Sequence, residues 1–112
     1  MIVVALITVL LSPWHGKALP TTPSGSYETS FALTVRGAPG KRVELRADGV
    51  AKGWVAAFCT SRLCAPFRTF ATLDKRGTAR YEFSLIRTDP SAVKHTHAVI
   101  RADGKQVAAA RA

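Results

Sequence analysis

Acidic side chains are scarce in this sequence. Seven Asp and Glu stand against sixteen Lys and Arg, for a net charge of +9 and an isoelectric point near 10.4. No two of these carboxylates sit closely paired beside a histidine, so the pattern offers no general acid–base couple. There is no Gly-x-Ser-x-Gly elbow to present a nucleophile. Gly37-Ala38-Pro39-Gly40 lacks the Lys-Ser/Thr and the helix that would make it a phosphate loop. These absences argue against an enzyme, and no cofactor is implied. Methionine occurs once, at position 1, which leaves no thioether for a blue-copper centre. No stretch carries the 3.6-residue apolar period of an amphipathic helix, the usual reader of the DNA major groove, so no specific nucleic-acid partner is expected. No internal repeat is visible.

Long apolar runs are also missing. The longest, Ile2 to Leu11 with Thr8 as its one polar member, falls short of the roughly 20 residues that cross a bilayer. It fits the hydrophobic region of a secretory signal peptide, and Gly16-Lys17-Ala18 puts small residues at the cleavage positions. Residues 1–18 are therefore expected as a signal peptide, with a mature start near Leu19 and a secreted or periplasmic location. No cysteine follows the run, which argues against a lipid anchor, and no transmembrane segment is expected in the mature chain. Residues 19–26, Leu-Pro-Thr-Thr-Pro-Ser-Gly-Ser, have little to bury and read as a flexible lead-in.

From Tyr27 the pattern becomes that of strands. Tyr27, Thr29, Phe31, Leu33 and Val35 alternate with more polar positions, and Gly37-Ala38-Pro39-Gly40 stops the run. Val43, Leu45 and Ala47 alternate with Arg42, Glu44 and Arg46; these first two strands are either hairpin neighbours or members of opposite sheets. Phe67 to Leu73 precedes a polar turn at Asp74-Lys75-Arg76-Gly77, and Ala79, Tyr81, Phe83 and Leu85 alternate beyond it. Lys94 to Ala102 runs into Asp103-Gly104, which favours the positive backbone angles of a tight hairpin, and Val107 to Ala110 can return. The expected core is Phe31, Leu33, Val35, Val43, Leu45, Trp54, Phe58, Leu73, Tyr81, Phe83, Leu85 and Ile100. Glu28, Glu44 and Glu82 sit at outward positions among arginines, where cross-strand ion pairs are expected.

At the centre lies Gly53-Trp54-Val55-Ala56-Ala57-Phe58-Cys59, a strand apolar on both faces, followed by a short loop to Cys64-Ala65-Pro66. An even cysteine count behind an export signal points to an oxidising compartment and to a Cys59–Cys64 disulfide. Closing so short a loop is worth only about 2 kcal/mol. A redox pair usually has two intervening residues at a helix start; here four intervene, and metal ligation is the other use open to the pair. About seven strands with turns between them predict an all-β antiparallel β-sandwich over residues 27–112. The order of strands, with Gly53-Trp54, Phe58-Cys59 and Cys64-Ala65-Pro66 as the best local match, resembles the immunoglobulin-like accessory domains of bacterial secreted proteins. These include fibronectin type III-like modules and the domain found beside α-galactosidases. The resemblance covers about Tyr27 to Ala110 and implies a non-catalytic binding or structural module with no catalytic residue to carry over. The chain departs from such modules in being so basic.

Two features have ligand character. His95-Thr96-His97 would place both imidazoles on one face of a strand, the starting point of a Cu²⁺ or Zn²⁺ site in a small periplasmic metal-binding protein. A site needs further ligands, so half-exposed histidines on an outer face are the plainer reading, and no metal is assigned. The basic residues are spread over nearly every strand and turn. Arg36, Lys41, Arg42, Lys75 and Arg76 are the candidates for contact with a polyanion, such as an anionic envelope polymer, each contributing a small and similar step. The aromatic side chains are accounted for by the core pattern. The expected function is thus that of a secreted, non-catalytic binding or structural module of the cell envelope or extracellular space, whose partner, an unidentified protein or an anionic envelope polymer, the sequence does not name.

Overall fold

The computed structural model describes residues 7–23 and 27–112 and shows two antiparallel sheets packed face to face, with no helix among those residues. The first sheet has the order β1 (Thr8–Pro13), β2 (Tyr27–Arg36), β7 (Thr78–Arg87), β4 (Trp54–Cys59), β5 (Cys64–Pro66). The second has the order β6 (Arg68–Thr72), β3 (Arg42–Asp48), β8 (His97–Ala102), β9 (Lys105–Arg111). The sandwich expected from alternation is present, and β2 and β3 lie in opposite sheets rather than in a hairpin. Two strands beyond the expected seven come from Thr8–Pro13, within the segment expected as a signal peptide, and from Cys64–Pro66. The first six residues of the expected signal segment, Ser24 to Ser26, and the side chains of Tyr27 and Glu28 lie outside the described residues.

The period-two pattern dictates which side of each strand is buried. Leu33 and Val35 of β2, Trp54, Ala56 and Phe58 of β4, and Phe83 and Leu85 of β7 face Val43, Leu45 and Ala47 of β3 and Ala98, Ile100 and Ala102 of β8. Phe58 packs on Phe83 with ring centroids 5.1 Å apart and meets Tyr81 edge-on at 6.3 Å. Of the expected core, Phe31 and Tyr81 are only half-buried and lie at its margin. Trp54 is fully inside because its indole N–H donates to the Val93 carbonyl at 2.7 Å, which satisfies the one polar atom that burial would otherwise strand.

Three connections fix the ends of the sandwich. Cys59 and Cys64 are direct partners across the β4–β5 hairpin and are disulfide-bonded, closing the loop Thr60–Leu63. Asp103 and Gly104 have φ of 49° and 83° between Ala102 and Lys105, as a two-residue type I′ turn demands. The chain changes sheet at Phe67, whose N–H donates to Ala56 in one sheet while its carbonyl accepts from Ala47 in the other.

The outer face of the first sheet is also covered. Ala57, Cys59, Glu82, Ser84 and Ile86 point away from the core and are nonetheless buried. Residues 14–23 run over this face. Trp14 N–H donates to Ser30, Leu19 N–H to Glu82 and the Thr21 hydroxyl to the Thr60 carbonyl. Leu19 to Pro23, expected as a lead-in with nothing to bury, is instead bonded down as a strap.

Candidate functional site

Turns from distant parts of the sequence meet at one end of the sandwich. Gly37 N–H donates to the Gly77 carbonyl at 2.9 Å, Gly40 N–H to the Leu73 carbonyl at 2.9 Å, and Leu73 N–H to the Lys41 carbonyl at 2.8 Å. These bonds lock the β2–β3 connection to the β6–β7 connection. They gather all five candidate cations, Arg36, Lys41, Arg42, Lys75 and Arg76, at that end. Asp74 shapes the second turn: its Oδ1 accepts from Arg76 N–H at 2.8 Å and Thr78 N–H at 3.0 Å. The Thr78 N–H, with that of Arg76, holds the Asp74 carboxyl below its ordinary value. Asp103 of the β8–β9 turn reaches the same end, 3.8 Å from Lys41 Nζ, and its Oδ1 accepts from Glu44 N–H.

Arg42 carries this basic end onto the outer face of the second sheet. Register places Arg68 of β6 opposite Arg46 of β3, and Arg46 opposite Arg101 of β8, so three guanidiniums form one row across three strands. Strands about 4.8 Å apart make that row roughly 10 Å wide. The flanking arginines have partners: Arg68 Nη2 lies 2.8 Å from Glu44 Oε2, and Arg101 Nε lies 3.2 Å from Asp48 Oδ2. Arg46, in the middle and exposed, has neither an ion pair nor a side-chain hydrogen bond among the described residues. Beside the row, the Phe70 ring is 44% exposed, with Arg42 Cζ 4.3 Å and Arg68 Cζ 4.9 Å from its centroid. The quadrupole of the ring attracts both guanidiniums and limits their movement on the face. Such a face can meet repeated anionic groups; it has no enclosed acid, base or nucleophile.

Phe70 corrects the expectation that the aromatics are all taken up by the core. Thr69, Ala71 and Leu73 take the inward parity of that segment, which leaves Arg68, Phe70 and Thr72 outside. The signal for that parity is Arg68, which could not be buried without a partner. Glu44 makes the cross-strand ion pair expected of it. Glu82 does not: it is 1% exposed, forms no ion pair among the described residues, and takes its hydrogen bonds from Leu19 N–H and the Thr22 hydroxyl of the strap.

The two histidines are placed differently from the strand expected over residues 94–102. β8 begins at His97, and His95 lies in the preceding loop, because Thr96 is turned inward to accept from Ala51 N–H at 2.8 Å. Both rings are exposed and line one shallow cleft with Ala109 to Ala112; His95 Nδ1 lies 3.2 Å from the Ala112 carbonyl. Among the described residues no group of three or more His, Cys, Asp or Glu comes together that could hold a metal. No helix among them is long and apolar enough to cross a membrane.

Comparison with protein-family models, with curated proteins and with solved structures finds no match, and none ties the chain to immunoglobulin-like or fibronectin type III-like domains.

Proposed function

We propose that this protein is an exported, non-catalytic binding module that holds an anionic polymer of the envelope or extracellular space against the outer face of its four-stranded sheet. The reading rests above all on the Arg68–Arg46–Arg101 row. Like charges directly opposite on neighbouring strands destabilise a sheet, yet here three arginines are aligned and the central one is left without a carboxylate. An anionic partner would relieve that repulsion, and the Arg42–Phe70–Arg68 stack beside it would add one more guanidinium, that of Arg42, toward the same ligand. The basic end, with Arg36, Lys75 and Arg76, extends the attractive field.

Retention on immobilised heparin, and on purified anionic cell-wall polymer, tests this. Arg42→Ala combined with Arg68→Ala is expected to weaken binding by about tenfold, roughly 1.4 kcal/mol. Arg62→Ala combined with Arg111→Ala removes the same charge from the disulfide loop and from β9, and is expected to change binding by about twofold or less. Equal losses from both pairs would show that the attraction is diffuse and that the face has no special part in it.

A further inference from the structure

Glu82 is a buried carboxylate without a cation. Its Oε2 accepts from the Leu19 backbone N–H at 3.0 Å and from the Thr22 hydroxyl, while its Oε1 is buried and has no hydrogen-bond partner among the described residues. No Lys, Arg or His among them forms an ion pair with it. A carboxylate taken out of water in this way is strongly disfavoured unless a positive charge sits against it. The nitrogen closest to supplying one is that of Leu19, the residue at which the leader is expected to be cut.

We propose that Glu82 is the receptor for the amino terminus created by leader cleavage. The inference rests on the export reading. Hydrolysis of the Ala18–Leu19 amide adds water across the C–N bond. Ala18 leaves with the leader as a carboxylate, and the Leu19 nitrogen becomes a primary amine that takes up the released proton. The neutral N–H donor 3.0 Å from Glu82 thereby becomes an ammonium with further N–H groups for the unfilled Oε1.

The contacts that hold Leu19 in place survive the cut because they lie on its C-terminal side. Thr22 N–H donates to the Leu19 carbonyl at 2.9 Å, the Thr22 hydroxyl bonds Glu82, and the Thr21 hydroxyl bonds Thr60 in the loop closed by the disulfide. Gly16, Lys17, Ala18 and Pro20 around the bond are exposed, whereas loss of the leader takes β1 with it, and with β1 the Val9 and Leu11 side chains at the core margin and the partner of the β2 edge. Uncut, the strap puts a neutral amide against a buried charge; cut, the same geometry makes an ion pair. Processing and folding are thus coupled through one side chain.

Two measurements separate this inference from the export reading. The amino-terminal mass of the exported protein reports the cleavage site, and a start away from Leu19 overturns the export premise at that bond. The ion pair is read in chains that all begin at Leu19, prepared oxidised, so that β1 is absent from every one. Acetylating the Leu19 amine restores a neutral amide and is expected to lower Tm by roughly 10 °C. In Glu82→Gln the free and acetylated chains are expected to melt together. Equal Tm for the free and acetylated chains with Glu82 present overturns the proposal, as does a Leu19 chain that does not fold.

Discussion

Gly77 shows how much of the basic end hangs on a single missing side chain. Its φ is +75°, and a Cβ there would lie 2.1 Å from the Gly37 carbonyl oxygen, a backbone atom held in place because the Gly37 N–H donates to the Gly77 carbonyl. Gly40, at φ +76°, has nothing within 4 Å of the same position. Gly77→Ala should therefore cost about 3 kcal/mol or more, from the positive φ together with the clash. Gly40→Ala should cost only the backbone penalty, about 1 kcal/mol. Urea unfolding of the two variants measures the difference; equal losses would show that the turn-to-turn contact is not what holds this end. Asp74 adds a pH dependence at the same place. Its folded-state value lies below the ordinary 3.8, so its contribution is present above that value and is lost as pH falls through the lower, folded one. The Arg76 and Thr78 amide resonances are expected to shift together over that acid range, and to stop doing so in Asp74→Asn.

At the scale of elements, the strands that sequence alone resolves are those in which polar and apolar residues alternate. β2, β3 and β7 alternate cleanly, and the Asp103–Gly104 turn follows from residues that tolerate positive φ. The Cys59–Cys64 bond is legible because the two residues bracket a hairpin loop. What period two cannot report is a second cover over an outward face. Glu82 and Ser84 look solvent-facing by parity, and only the path of residues 14–23 across the sheet makes them buried. Nor does parity reveal lateral neighbours: Arg46, Arg68 and Arg101 are far apart in sequence, and only register makes them a row. β1 is hidden in the sequence because the apolar run from Ile2 to Leu11 has no polar alternation. Its Val9 and Leu11 pack on the core margin, whereas Leu10 is left 57% exposed.

Over the whole molecule, the excess of sixteen basic over seven acidic residues acts at two ranges. Out to the screening length, about 10 Å at 0.1 M salt, every cation adds to a field that draws any polyanion in. Within that distance only the face that meets the polymer displaces its condensed counterions. A linear fall of log affinity with log salt counts the contacts, at roughly 0.7 per cation on a flexible single-chain polymer. Sequence spacing alone predicts many small and similar contributions; the Arg42–Phe70–Arg68 stack and the Arg46 row predict a concentrated one. The slope for Arg42→Ala with Arg68→Ala should therefore be shallower by roughly 1.4 than that of the unaltered protein. The slope for Arg62→Ala with Arg111→Ala should be unchanged, although its net charge is the same. Heparin affinity measured from low to moderate salt on the three proteins gives all three slopes. Binding that ignores salt would instead require an enclosed, desolvated anion site, which an open face of exposed arginines does not provide.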